Sequence, residues 1–116
     1  RVGVDPWRSH GAMRVFRLFE PPGIRVEGNV DAVSGAEFAA ALAELVGDID
    51  DDGDTHVDMS ELKFIDLNGL RELARAASQL PEGRLRLHHL APHHRELITL
   101  LRWHELPELV LDGVAS

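Results

Sequence analysis

The chain has 116 residues, 44% of them hydrophobic, no cysteine and a formal net charge of -8. That length and apolar share suit one domain around one core, and the missing cysteines exclude disulfides, thiolate metal sites and cysteine nucleophiles. The acidic balance opposes binding to a phosphate backbone, which needs a clustered basic face, and no run approaches the roughly 18 apolar residues of a membrane span.

With no apolar signal-peptide core either, a cytoplasmic protein without nucleic-acid or membrane partners is expected. Position 1 is Arg, which suggests a fragment or a processed form. Residues 1–13 hold Gly3, Pro6 and Gly11 with little periodicity. They read as an N-terminal extension or vector-derived segment, leaving 14–116 as the domain.

Arg14 to Phe19 alternates apolar and basic residues, Glu20-Pro21-Pro22-Gly23 supplies turn chemistry, and Ile24-Arg25-Val26-Glu27 follows. This predicts a β-hairpin. Ser34-Gly35-Ala36-Glu37 has capping-box spacing, and Phe38, Leu42, Leu45 and Val46 share one helix face that should end near Gly47. Asp48 to Asp54 is an acidic loop, His56 to Met59 alternates as a short strand, and Leu62, Phe64 and Ile65 are expected in the core.

A second helix is predicted next, capped by Asn68, with Leu70, Leu73, Ala74 and Ala77 as its stripe. Pro81-Glu82-Gly83 breaks that run, and Leu85 and Leu87 alternate with polar residues in another strand. Pro92 suits the first position of a third helix, whose inner face reads as Leu97, Leu100, Leu101 and His104. Pro107 stops it, and Leu109-Val110-Leu111 is a final edge strand or docking tail. The order argues an α/β fold: a mixed β-sheet with parallel central strands, entered through an antiparallel hairpin and packed against about three to four helices.

Three stretches carry a family resemblance. Val26-Glu27-Gly28-Asn29-Val30-Asp31 resembles the hairpin exit of the STAS family, and His56-Val57-Asp58-Met59-Ser60 resembles its central strand ending in Asp-Leu-Ser. Phe64-Ile65-Asp66-Leu67-Asn68-Gly69-Leu70 is similar to the family's signature turn, in which an Asp, two small hydroxyl residues, Gly and Leu join a strand to the next helix. Leu90-Ala91-Pro92 and Leu106 match the usual tail. The ordered set, spanning about Arg14 to Leu111, is what makes the resemblance specific.

The resemblance implies a bacterial anti-sigma factor antagonist-like regulatory domain: a protein-binding signalling module, not an enzyme. It would bind an anti-sigma factor, usually a kinase, and so control transcription. The partner-binding residues it implies are Asp31, Asp66, Leu67, Asn68, Gly69 and Leu70. In such family members the residue after the signature Asp is a Ser or Thr that the partner kinase phosphorylates. Here it is Leu67, followed by Asn68, and neither can accept a phosphate through oxygen. Phosphorylation at this turn is therefore not expected. Leu67 either folds onto the core or, if exposed, serves as an apolar anchor, while Asp66 and Asp31 have structural roles open to them as turn or cap residues.

Other constellations give little. Asp48 to Gly53 matches the first half of an EF-hand loop, but the closing twelfth position is Met59 inside a predicted strand, so an acidic solvated loop is expected. His88-His89 and His93-His94 lack a metal-binding spacing, and adjacent strand residues face opposite ways, so a surface cluster is expected. No metal or cofactor is implied. The five serines include no Gly-x-Ser-x-Gly elbow, and no phosphate-binding glycine loop occurs. The competing reading is a STAS module that senses a small ligand or nucleotide.

Overall fold

The computed structural model describes residues 5–48 and 53–112. The chain runs β1 (Arg8–His10), β2 (Met13–Phe19), β3 (Pro22–Val30), α1 (Gly35–Asp48), β4 (Thr55–Asp58), β5 (Leu62–Ile65), α2 (Leu67–Gln79), β6 (Leu85–His88) and α3 (Pro92–Leu100). A 3-10 turn (Trp103–Glu105) and β7 (Leu109–Asp112) complete it. The strands form one sheet in the order β1-β2-β3-β4-β6-β7, with β5 paired to β3 beside that path. β1, β2 and β3 pair antiparallel, and β3, β4, β6 and β7 pair parallel. The mixed sheet with its parallel centre and antiparallel hairpin is as the sequence predicts.

Each parallel crossover steps the same way across the sheet, so right-handed connections bring all three helices to one face. Strand alternation supplies that face. Ile24 pairs with Val57, Val57 with Leu87, and Leu85 with Leu109, and all of these are buried. Phe38, Ala41, Leu42 and Leu45 of α1 and Leu70, Leu73 and Ala77 of α2 close over them. The intervening positions make polar rows on the other face: Arg25 sits opposite Asp58, Asp58 opposite His88, and His88 opposite Asp112. Arg25 Nε donates to Asp58 at 3.2 Å, and Arg86 donates to Asp54 at 2.6 Å and to Asp112 at 2.8 Å.

Several elements differ from the sequence reading. Within the segment assigned to an N-terminal extension, residues 8–10 form an edge strand on β2, and Trp7 packs against the core. Arg8 ties that strand to α1 by binding Glu37 and Glu44. Three residues are too few to show a period, which is why the strand is silent in sequence. The predicted capping box does not form as drawn. Ser34 Oγ turns back to donate to Asn29 O at 2.9 Å and accept from Asp31 N at 3.1 Å, while Glu37 is taken by Arg8. The end of α1 at Asp48 does agree with the expected end near Gly47. Asp54 is drawn to Arg86, and residues 49–52 of the half EF-hand motif lie outside the described residues.

Phe64 is 46% exposed rather than in the core. The pairing of β5 with β3 slips between Gly28 and Asn29, so Leu62 and Ile65 both point inward and Phe64 turns out. The face of α3 is also corrected. Its buried residues are His94 and Ile98, whereas Leu97, Leu100 and Leu101 are exposed and His104 lies beyond the helix, in the 3-10 turn. The four expected positions do share a helical stripe, but the short β6–α3 connection and Pro92 set the helix phase so that the His94–Ile98 stripe meets the sheet. His94 thereby leaves the expected surface cluster for the interior. Accordingly, Ile98→Ala should cost about 2–4 kcal/mol in urea unfolding, while Leu100→Ala should change stability by no more than about 0.5 kcal/mol.

Candidate functional site: the turn between β5 and α2

The turn is built from the backbone outward. Ile65 is aligned with Val30 of β3, and Asp66 N donates to Val30 O at 2.9 Å, which pins the end of β5 to the end of β3. Asp66 then starts α2: its Oδ1 accepts from Gly69 N at 2.8 Å and its carbonyl accepts from Leu70 N at 3.1 Å. Asp66, not Asn68, is therefore the N-cap, since a carboxylate three residues ahead of a free N–H satisfies one of the helix's orphan donors. Asn68 lies within the first turn, where its side-chain oxygen accepts from Arg71 at 3.2 Å.

Gly69 is buried, and a Cβ there would meet Ile65 Cγ1 at 2.7 Å and Val30 Cγ1 at 2.9 Å. The helix can approach the two strand ends this closely because the position carries no side chain. Leu70 is 1% exposed and belongs to the core, so it holds the turn from below. Leu67 does the opposite. It is the first residue of α2 and 44% exposed, which decides between folding inward and facing solvent.

Asp31 sits in the loop between β3 and α1. Its Oδ1 accepts from Val33 N at 3.0 Å and Ser34 N at 3.2 Å, and its carbonyl accepts from Gly35 N at 2.7 Å. β3 and β5 run parallel, so their two following loops emerge at the same end of the sheet, where open α/β sheets present their binding crevices. A cleft between them is lined by Asp31, Ala32, Gly35 and Ala36 on one side and by Asp66, Asn68, Gly69 and Glu72 on the other. The structure thus brings Asp31 together with the turn, a juxtaposition that sequence distance does not show.

The cleft continues between α1 and α2 along Ala39, Ala40, Ala43 and Ala76 toward Gln79. Its lining offers carboxylates, the amides of Asn68 and Gln79, the Arg75 guanidinium and mostly small apolar side chains, with one oxygen of Asp31 and of Asp66 already committed to backbone N–H groups. No group of three or more His, Asp or Glu among the described residues could hold a metal ion. Exposed apolar side chains stand on the cleft's elements and the residues next to them: Leu67 and, unforeseen from sequence, Phe64 at 46% and Val33 at 64% exposure.

The family model described as "Mlab, STAS domain" matches residues 13–111. The chain belongs to the STAS domain family. Among solved structures, an anti-sigma factor antagonist from Mycobacterium paratuberculosis superposes with a TM-score of 0.66 at 20% identity, covering 92% of this chain and 90% of that one. The anti-sigma factor antagonist SpoIIAA in its unphosphorylated form gives 0.59 at 15% identity, covering 77% and 83%. These likenesses confirm the fold. No curated protein matches the sequence. Among the described residues no helix is long and apolar enough to cross a membrane.

Because the cap and the close approach are separate devices, they can be tested separately. Asp66→Ala should cost about 0.5–2 kcal/mol of unfolding free energy with Asp66→Asn nearly neutral, and Gly69→Ala should cost about 1–3 kcal/mol through overpacking against Val30 and Ile65. Urea titrations of the three variants check both.

Proposed function

We propose that this STAS domain is an anti-sigma factor antagonist-like binding module that engages an anti-sigma factor, a kinase, and so bears on transcription, without phosphorylation at the turn. The observation that carries the reading is Leu67: an exposed apolar side chain at the position after the signature Asp. A partner that covers this end of the sheet would bury Leu67 and, beside it, Phe64 and Val33, giving an apolar centre of the kind that dominates interface energetics. Asn68 and the free oxygens of Asp31 and Asp66 would supply the polar rim. Gly69 and Leu70 act from beneath, by holding the turn in shape. The two anti-sigma factor antagonists that share the fold support the class of partner.

Phosphate at the start of α2 would place about -1.5 to -2 charge in the middle of such an interface. Leu67 keeps that centre apolar and gives a kinase no hydroxyl. The antagonist would bind constitutively, with its control residing in the amount of protein or in another chain.

The test mixes the domain with candidate anti-sigma kinases and ADP or ATP, follows complex formation by size exclusion and weighs the recovered domain by intact mass. A complex without added mass is expected. Leu67→Glu should weaken it at least about tenfold, the effect of losing one interface anchor, with thermal stability unchanged, and Leu67→Ser should gain one phosphate. Phosphorylation of the unsubstituted domain at the turn, or binding indifferent to Leu67→Glu, would overturn the reading. A small-molecule shift in melting temperature with no complex would favour the ligand-sensing alternative.

A further inference from the structure

α3 is the helix with the fewest buried anchors. Its buried side chains are His94 and Ile98, against four on α1 and five on α2. One of those two anchors is therefore a titratable ring. His94 is 1% exposed, neither ring nitrogen has a hydrogen-bond partner in the protein, and its ring centroid lies 3.9 Å from that of His93. A buried imidazole without partners tolerates only the neutral form, because burial of an unpaired charge is far more costly. Its position in the first turn of α3 adds to this, since the N-terminal end of a helix repels a cation.

The segment that leads into α3 begins with a second histidine contact. His88, the last residue of β6, meets His56 of β4 with Nε2 and Nδ1 2.7 Å apart and the rings stacked at 5.0 Å and 13°. That contact works while one nitrogen accepts. With both rings charged, both nitrogens carry hydrogens and the rings repel. Between the two points lies His89, held at a positive φ of 61°. His88 to His94 thus contains four histidines in seven residues, with a ring contact at each end.

Other charged groups face these rings. Asp58 and Arg25 flank His88 from β4 and β3, while Arg86, Asp54 and Asp112 surround the pair from β6, the loop before β4, and β7. His89, Leu18 and Pro21 line the adjoining cleft. His94 is flanked on its own helix by His93 and Arg95, and His93 is the charged group that bears on its protonation. Burial, and then His88, hold His56 below the ordinary imidazole range, and burial, then His93, do the same for His94.

We propose that the His88–His94 segment is an acid-sensitive latch: with its rings neutral it keeps α3 on the sheet, and protonation within it, at the buried His94 above all, releases α3 while the β5–α2 turn stays in place. The sign follows from linkage. A folded-state imidazole held below its usual range binds fewer protons than the detached one, so the latch is at full strength above the ordinary imidazole pKa of about 6.5 and weakens as pH falls below it. Two neighbouring carboxylates, Asp54 and Asp58, do not share this window. Asp54, held by Arg86, sits below its ordinary range; so does Asp58, where bonds to Ser60 and Arg25 outweigh the effect of burial, and both stay charged well below pH 6.

Hydrogen exchange of the whole chain at pH 7.5 and 5.5, corrected for intrinsic exchange rates, tests this. Amides in 95–106 should lose protection at least about tenfold more than those in 66–79, as expected for opening of one local unit, and the double variant His88→Gln/His94→Phe should abolish the difference. A loss spread evenly over the domain, no loss in α3, or the same loss in the double variant would overturn the proposal. Should that variant not fold, ring NMR of the unsubstituted protein decides. His94 staying neutral until α3 opens supports the latch, and His94 titrating near pH 6.5 with α3 still protected refutes it.

Discussion

β3 is shared by three other strands, and the rest of the fold is arranged around that fact. It pairs along its length with β2, at its start with β4 and at its end with β5. Serving two parallel partners in turn requires a break in register, and the break falls between Gly28 and Asn29, where Gly28 takes a φ of 88° and a Cβ would come within 1.9 Å of Ala12 O. Only glycine fits such a position without displacing the neighbouring backbone. The shift turns Leu62 and Ile65 inward together and Phe64 out, so one bulge both completes the core and adds an apolar group beside the candidate binding surface.

That surface follows from the same geometry. Parallel β3 and β5 end side by side, their loops each carry an aspartate whose first duty is to backbone N–H groups, and Gly69 lets α2 approach both strand ends. Asp31, Asp66 and Gly69 thus each have a structural role. With the backbone satisfied locally, Leu67 and Asn68 are free to face outward, and a side chain on a rigid helix start loses little freedom when a partner covers it.

The domain is unevenly anchored. α1 and α2 meet each other and bury nine side chains between them, whereas α3 relies on Ile98 and an unpartnered imidazole. Buried anchors are concentrated on the two helices that frame the turn, while α3 carries the buried imidazole. A module of this kind can keep one surface fixed while another part of the molecule answers to conditions.

Periodicity and turn chemistry made most of the elements legible: the hairpin, both long helices, the strands through Asp58 and His88, Pro92 at the start of α3 and the final strand all stand where the residues point. The ordered motifs also disclosed the STAS family. Such features are local, written in residues within a few positions of one another. Tertiary structure alone decided which of several apolar stripes faces inward, because Leu97, Leu100 and Leu101 compete with Ile98 on pattern and lose on the angle at which β6 delivers α3. It likewise decided that Phe64 turns out, that β1 joins the sheet, that Asp66 rather than Asn68 caps α2, and that His56 meets His88 across two strands. Each of these depends on register or on the space left by distant neighbours, quantities that no stretch of sequence contains by itself.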